Sequence, residues 1–559
     1  MHLREARVCS RRATWVWSAV LGVVWGAGTL GAAASPDGPT VFDIGDRRQV
    51  FIDGRFLEVS RGVELVMHAP HKTRERTLVP DQPWEHHGIG SNCTVLKDGD
   101  TYHLWYPANR GYCYARSKDG IHWEKPHLGL AEYEGSRDNN IVLGGGAGGT
   151  DKISTEGMIF IDPTAPPDER FRCATRISDE LKDTFVWSSP DGIHWRKTHD
   201  GVLTFHQPEG RQYLDSQNVI FWDDRINKYV AYMRYNWFMK GFRGRSIARS
   251  ESDRLGGFLE VQDAPVVFGP DGLDAKLGTT PAVDFYSSAC IKYPWAQDAY
   301  YMFPCAYFHY MDHELAEFPD ECPINAGPLH TQFAASRDGI KWERFGRRPF
   351  VRLGMRGDFD SKSARVFRGL VPSVDGREMY VYYVGSDYLH GWSERRWDEK
   401  DEKEEKQEKE DPVAEAERKK NAARRELNTR LLTAAGLAPT ERVSLISRLV
   451  LRRDGFISAR ADYAGGEFMT PPLKFSGKEL VLNVDTSATG LVRCELLTSN
   501  NEPIEGYALA DCDIIHTAND INRVVRWKGN ADVSALAGKP VRLRVVYRDA
   551  DLYAFQFVK

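Results

Sequence analysis

Along most of the chain, apolar and polar residues alternate over short runs, the period-two pattern of strands buried on one face. Three such runs, 111–116, 185–188 and 331–335, each lead into the same phrase: Ser117-Lys-Asp119-Gly120-Ile-His-Trp123, Ser189-Pro-Asp191-Gly192-Ile-His-Trp195 and Ser336-Arg-Asp338-Gly339-Ile-Lys-Trp342. Asp-Gly reads as the turn of a β-hairpin, with Gly supplying positive φ, and the Trp after it as a packing anchor. The spacing is regular: 72 residues separate Asp119 from Asp191, and 147, close to twice that, separate Asp191 from Asp338. A worn copy over 250–258 and a late one at Arg453-Asp454-Gly455-Phe456 complete a series of five. Self-similarity of this kind predicts a five-bladed β-propeller of four-stranded units, with the phrase on the outer hairpins. The expected inner strands are 92–96, 157–161, 218–222, 288–292 and 364–367, returning through 102–106, 171–176, 229–234, 300–303 and 379–384.

The pattern changes after residue 456. Alternating runs at 479–485, 491–497, 522–527, 541–548 and 552–558 lack the phrase and predict a C-terminal β-sandwich over 457–559. At the other end, 50–67 reads as two short strands that could lend an edge to the ring. Between Glu394 and Asp411, 16 of 18 residues are charged with mixed sign, so this segment cannot enter a core. With the helix-like 414–436 it forms a charged helical or disordered insertion, 394–440, in the last blade of a propeller spanning 45–456.

A formal charge of −5 argues against nucleic acid as a partner. Residues 1–34 read as an export signal: Arg4, Arg7, Arg11 and Arg12 precede an apolar stretch, and Ala32-Ala33-Ala34 suits cleavage. Ser10-Arg11-Arg12 leaves the twin-arginine and general secretory routes both open, and no later run is long enough to span a bilayer. The mature protein is therefore expected in the periplasm or outside the cell, off the membrane. No Cys forms C-x-x-C and no Cys/His cluster has zinc spacing, so no structural metal site is expected. Cys494 with Cys512 and Cys305 with Cys322 are candidate disulfides, against buried free thiols as the simpler reading.

In a propeller the inner strand starts at one mouth of the central funnel and the next strand returns to it. Residues just before the first and just after the second therefore converge. Ahead of the inner strands stand Glu85, Glu156, Asp215, Asp284, and Asp358 with Asp360; after the returning strands come Arg110, Arg176, Arg234, His309 with Asp312, and Asp387 with His390. Tyr286, Tyr307, Phe308 and Trp84 add flat faces. A single Asp before a strand is equally turn chemistry; one carboxylate per unit points to a site. Carboxylates, arginines and aromatic rings at one mouth are what glycoside cleavage needs, one acid protonating the leaving oxygen and a second carboxylate activating water or attacking carbon. The candidate catalytic residues are Asp215, Asp284 and Asp360 with Glu85 as acid. Arg234, His309 and His390 would orient substrate, and Tyr286, Arg176, Trp84 and Arg110 would contact it. No cofactor is required; a structural Ca²⁺ at the axis, through His390 or funnel carboxylates, is the one ion the arrangement could take.

The repeated hairpin phrase, the runs "DSQNVIFWDDRINKYVAYMR" and "SRDGIKWERFGRRPFVRLG", and the C-terminal stretch from "LRRDGFIS" to "DADLYAFQF" resemble exported bacterial proteins grouped with the five-bladed glycoside hydrolases, families 32 and 43. The resemblance covers 45–390 and 440–559 and implies hydrolysis of furanosides or related plant or algal glycans by funnel carboxylates. The Asn-Asp-Pro-Asn-Gly and Arg-Asp-Pro phrases of family 32 are absent, and Glu321-Cys322 follows a second strand instead of preceding an inner one, so the family's acid is not carried over to Glu321. The alternatives are a non-catalytic carbohydrate-binding propeller and a sialidase-like hydrolase, the latter suggested by the hairpin phrase.

Overall fold

A computed structural model describes residues 40–86, 88–108, 111–145, 153, 156–176, 183–204, 214, 216–239, 242–274, 276–277, 280–281, 283–308, 327–390 and 443–559. The signal-like segment 1–34 and the charged insertion 394–440 lie outside them. Among the described residues no helix is long and apolar enough to cross a membrane.

The fold of Val41–Lys559 is all-β, and antiparallel pairing marks out successive four-stranded units. The first runs through Thr94–Asp98, Thr101–Ala108, Gly111–Ser117 and Ile141–Gly144. The second comprises Met158–Ile161, Phe171–Arg176, Asp183–Ser189 and Arg196–Thr204, the third Val219–Asp223, Lys228–Met239, Phe242–Ser252 and Val266–Phe268. In the fourth unit the strands are broken in two, Val283–Phe285 and Ile291–Lys292 being the halves of the inner one. The fifth pairs Ser363–Pro372, Glu378–Ser386 and Ser444–Arg452, and its outermost strand is His71–Lys72, from the opposite end of the chain.

Alternation explains how the units stack. In the second strand of the first unit, Tyr102, Leu104 and Tyr106 pack with Tyr380 and Tyr382 of the fifth, while Trp105 packs with Phe171 of the second. Arg368 on the fifth inner strand pairs in parallel with Thr94 on the first, so the first and last units meet and the ring closes.

The repeated phrase latches neighbouring units. In each copy the Asp carboxylate accepts two backbone N–H groups, as Asp119 does from Ile121 at 2.8 Å and His122 at 2.9 Å. The Gly carbonyl then accepts a hydrogen bond from the adjacent unit: Tyr382 hydroxyl to Gly120 at 2.6 Å, Trp105 Nε1 to Gly192 at 2.7 Å, and Tyr232 hydroxyl to Gly339 at 2.8 Å. The Trp anchors: Trp123 and Trp342 pack edge-on against Tyr382 and Tyr232. The late copy does something else. Asp454 is buried between Arg48 Nε at 2.6 Å, Tyr293 hydroxyl at 2.6 Å and Asn483 Nδ2 at 2.8 Å, joining the last domain to the fourth unit.

That last domain corrects one expectation. The stretch 50–67, expected to lend an edge to the ring, lies with Phe42–Gly45 in the C-terminal sheet system: Val59–Arg61 pairs with Gly466–Met469, Val63–Met67 with Ile457–Ala461, and Phe42–Gly45 with Leu473–Phe475. Their apolar residues decide this, because Phe51 and Phe56 complete the core of Phe468, Leu482, Val545 and Phe555. Cys494 and Cys512 are unbridged, Cys512 Sγ accepting the Cys494 N–H at 3.2 Å. Cys305 is likewise a buried free thiol, and Cys322 is outside the described residues.

Candidate functional site

The third unit carries an unusually long hairpin, Lys228–Met239 with Phe242–Ser252, in continuous register from Tyr229↔Ser252 to Met239↔Phe242. Its length lifts Arg234 and Arg245 beside the inner strand of the fourth unit. There the Arg245 guanidinium donates to the Asp284 carboxylate at 2.8 Å, with Asp284 wholly buried. Tyr286, two residues on, lies under both guanidinium groups, whose centres stand 5.0 Å (Arg234) and 4.8 Å (Arg245) from its ring centroid; Arg245 is also 5.4 Å from the ring of Tyr307. His390, reaching in from beyond the fifth unit's second strand, meets the rings of Tyr286 at 4.8 Å and Tyr307 at 5.0 Å edge-on. Its backbone is fixed by reciprocal hydrogen bonds with Gly327 at 3.0 and 3.1 Å.

The supporting groups are amides. Asn218 accepts the Arg234 N–H at 2.9 Å while donating to the carbonyls of Leu214 and Ser216, and Asn236 accepts from Arg234 Nε at 3.1 Å. Burial works against the charge of Arg245, but Asp284, with Tyr286 and Tyr307, outweighs it and holds the guanidinium above its ordinary pKa. Burial likewise pushes the Tyr307 hydroxyl up. The exposed members of this buried electrostatic stack are the half-buried Tyr286 and His390.

Four of the eleven candidate residues thus come together: Asp284, Arg234, Tyr286 and His390. Arg245 is an addition to the expected set: it sits early on a third strand, Phe242–Ser252, whereas the positions expected to converge lie before the first strand and after the second. Asp215, His309 and Arg110 lie outside the described residues, and of Arg176 only the backbone, paired with Thr184, is described.

Glu85, Trp84 and Asp360 are placed elsewhere. Glu85 has no solvent contact and is held by Tyr106 hydroxyl at 2.6 Å, Lys125 Nζ at 2.7 Å, and the N–H groups of Asp81 and Gln82 at 3.0 and 3.1 Å. Trp84 beside it belongs to the core between first and fifth units, its Nε1 on Asn140. Asp360 repeats the arrangement in the fifth unit, between Lys72 Nζ at 2.5 Å and Tyr383 hydroxyl at 2.8 Å, and shares no partner with the Asp284 cluster. Each of these two carboxylates is paired with a lysine and a tyrosine hydroxyl. Among the described residues no group of three or more His, Cys, Asp or Glu side chains could hold a metal ion.

A concavity of about 790 Å³ lies where the fifth unit meets the C-terminal domain and shares no residue with the cluster. Two of its polar side chains are held by neighbours: His68 by Ser458, and Arg452 by Asn483, Asn519 and the face of Tyr553.

Neither a protein-family description nor a curated relative matches the chain. Among solved structures it is similar to a thermostable family-43 glycoside hydrolase, with 19% identity over 54% of this chain and 86% of that one and a TM-score of 0.38. It is also similar to an endo-arabinase from Bacteroides thetaiotaomicron VPI-5482, at 13% identity, 58% and 95% coverage and a TM-score of 0.34. A third is a putative exo-β-1,3-galactanase from Bifidobacterium bifidum s17, at 13% identity, 59% and 87% coverage and a TM-score of 0.30. The functional reading therefore rests on the side chains at the site.

Proposed function

We propose that the protein is an exported glycoside hydrolase that acts on plant or algal glycans, furanosides foremost, at the cluster around Asp284. The observation that carries the reading is the stack itself: an Asp284–Arg245 ion pair whose guanidinium lies over Tyr286 and Tyr307, flanked by Arg234 and His390, from three units. Tyr286 offers a flat face to a sugar ring, and His390 offers a hydrogen-bonding edge to its hydroxyls. Asp284, matched to Arg245, is the carboxylate held against a fixed cation. Its proton-donating counterpart is sought in Glu156 and Asp215, which stand ahead of the second and third inner strands; Leu214 and Ser216 flank Asp215 and hold the Asn218 that fixes Arg234. Two carboxylates in unlike surroundings have pKa values driven apart, as acid and base require.

The complete burial of Asp284 favours a second reading, a glycan-binding protein without turnover, in which the ion pair only stiffens the platform. Incubating the purified protein with arabinan, fructan, xylan and algal oligosaccharides and following released reducing ends separates the two. Turnover is expected, with Asp284→Asn lowering it by roughly 100-fold or more while circular dichroism shows the fold kept. Binding of a glycan with no release of reducing ends supports the second reading, and unchanged turnover in Asp284→Asn removes Asp284 from the chemistry.

A further inference from the structure

Below the Asp284 cluster the innermost strands form a collar to which every unit contributes. Thr94 of the first pairs with Arg368 of the fifth, and its hydroxyl accepts the N–H of Ile159 from the second at 3.3 Å. Gln217 of the third accepts the Arg368 N–H at 3.2 Å and donates to the Cys93 carbonyl at 2.7 Å. Cys290 of the fourth is the described ionisable group facing the Arg368 guanidinium, which lies 6.0 Å from the ring centroid of Phe221 on the third. A bulge between Val366 and Leu370, around Gly369 at φ 152°, interrupts the fifth inner strand at this level. The other arginine of the strand, Arg365, faces the thiols Cys93 and Cys305.

These two arginines are half-buried with their Nε atoms enclosed, and they differ from several other enclosed guanidinium groups. Arg48, Arg172, Arg245 and Arg344 each meet a carboxylate. Among the described residues Arg365 and Arg368 meet none, and the Nε of each is buried with no hydrogen-bond partner. The thiols near them are no counter-charge, because burial raises Cys93, Cys290 and Cys305 above the ordinary thiol value and keeps them neutral. Burial alone brings Arg368 down to about 10, which leaves it fully charged at neutral pH. Two partly desolvated cations that meet no described carboxylate make a small mobile anion the economical partner. Calcium is the ion a ring of carboxylates would hold; two guanidinium groups repel it.

We propose that the central channel binds a small inorganic anion, chloride or an oxyanion such as phosphate, held by the guanidinium groups of Arg365 and Arg368 at the level of Thr94 and Gln217. The anion neutralises the collar and so links all five inner strands, a structural role independent of whether the site above it turns over substrate.

The test uses the purified full chain exchanged into sodium isethionate, whose bulky anion does not fit a collar of this kind, then titrated at constant ionic strength with sodium chloride, bromide or phosphate. A saturable rise in Tm of about 2 °C is expected with the anion that fits, the halide and phosphate arms telling the two classes apart. Crystals grown in bromide should show the ion on the axis against both arginines by anomalous scattering. Arg368→Met should lose the anion-specific rise. Equal Tm in all salts, an axis empty of bromide and phosphate in crystals grown in either, or an Arg368→Met protein that keeps the full shift would each overturn the proposal; if that variant does not fold, the measurements on the unaltered chain decide.

Discussion

Asp284 and Glu85 are both carboxylates without solvent contact, and partners separate them. Glu85 receives a lysine, a tyrosine hydroxyl and two backbone N–H groups, whereas Asp284 supports an arginine that itself lies over the half-buried ring of Tyr286 and the buried ring of Tyr307. A sequence shows that a carboxylate precedes a strand; it does not show which groups the side chain meets, and Glu85 and Asp360 meet a lysine and a tyrosine hydroxyl away from the Asp284 cluster. His330 is the converse case. It carries no motif, yet on the strand Leu329–Thr331 its Nε2 is buried without a partner, its ring packs against Phe308 at 4.8 Å, and burial pushes its pKa down to about 4. The unfolded chain takes up this proton near pH 6.5 and the folded chain only near 4, so acid favours unfolding across that window. Tm should fall as pH drops from about 6.5 to 4, and His330→Gln should flatten that part of the profile; an identical profile in the variant would place the titration elsewhere.

At the level of strands and turns, local pattern and final structure agree closely. Met158–Ile161 and Val219–Asp223 lie within a residue of the expected 157–161 and 218–222, because each strand's alternation is satisfied by the units on either side of it. The fourth unit departs most: its inner strand was expected as one piece at 288–292, and Ala289, at φ 40°, breaks it, so that the half bearing Asp284 lies upstream. What the pattern did not convey is that the Gly of each phrase is a docking surface. A Cβ on Gly192, already at φ 77°, would stand 2.5 Å from Trp105 Cζ2. Gly376, at φ 69°, has no atom within 4 Å of the same position. Both alanine variants pay for the left-handed backbone, about 1 kcal/mol, but only Gly192→Ala must also displace a buried indole, for a total of about 2–4 kcal/mol. Urea unfolding of the two variants side by side checks this; equal losses would mean that the latch yields freely.

For the molecule as a whole, the unforeseen feature is how the chain is threaded. Residues 42–67 complete the C-terminal domain, 71–72 the fifth unit, and only then does the ring begin, so both domains are closed by the same short stretch. No periodicity reports this, because a strand that pairs with a partner nearly 400 residues away looks locally like any other. The consequence is a shared core: Val50, Ile52, Ile457 and Ala554 pack in one cluster with Ile291, Tyr301, Phe333 and Phe456. Asp454 is the polar bolt through it, and Asp454→Asn would leave Arg48, itself buried, without its counter-charge at a cost of about 3–5 kcal/mol. Since that loss falls on the contact between domains and spares the core of each, the unaltered protein should unfold in one calorimetric transition and Asp454→Asn in two. A variant that stays single with a lowered Tm would show instead that the apolar cluster alone couples the domains, and Arg48→Met with Asp454→Asn, which removes the stranded charge, should then recover most of the loss.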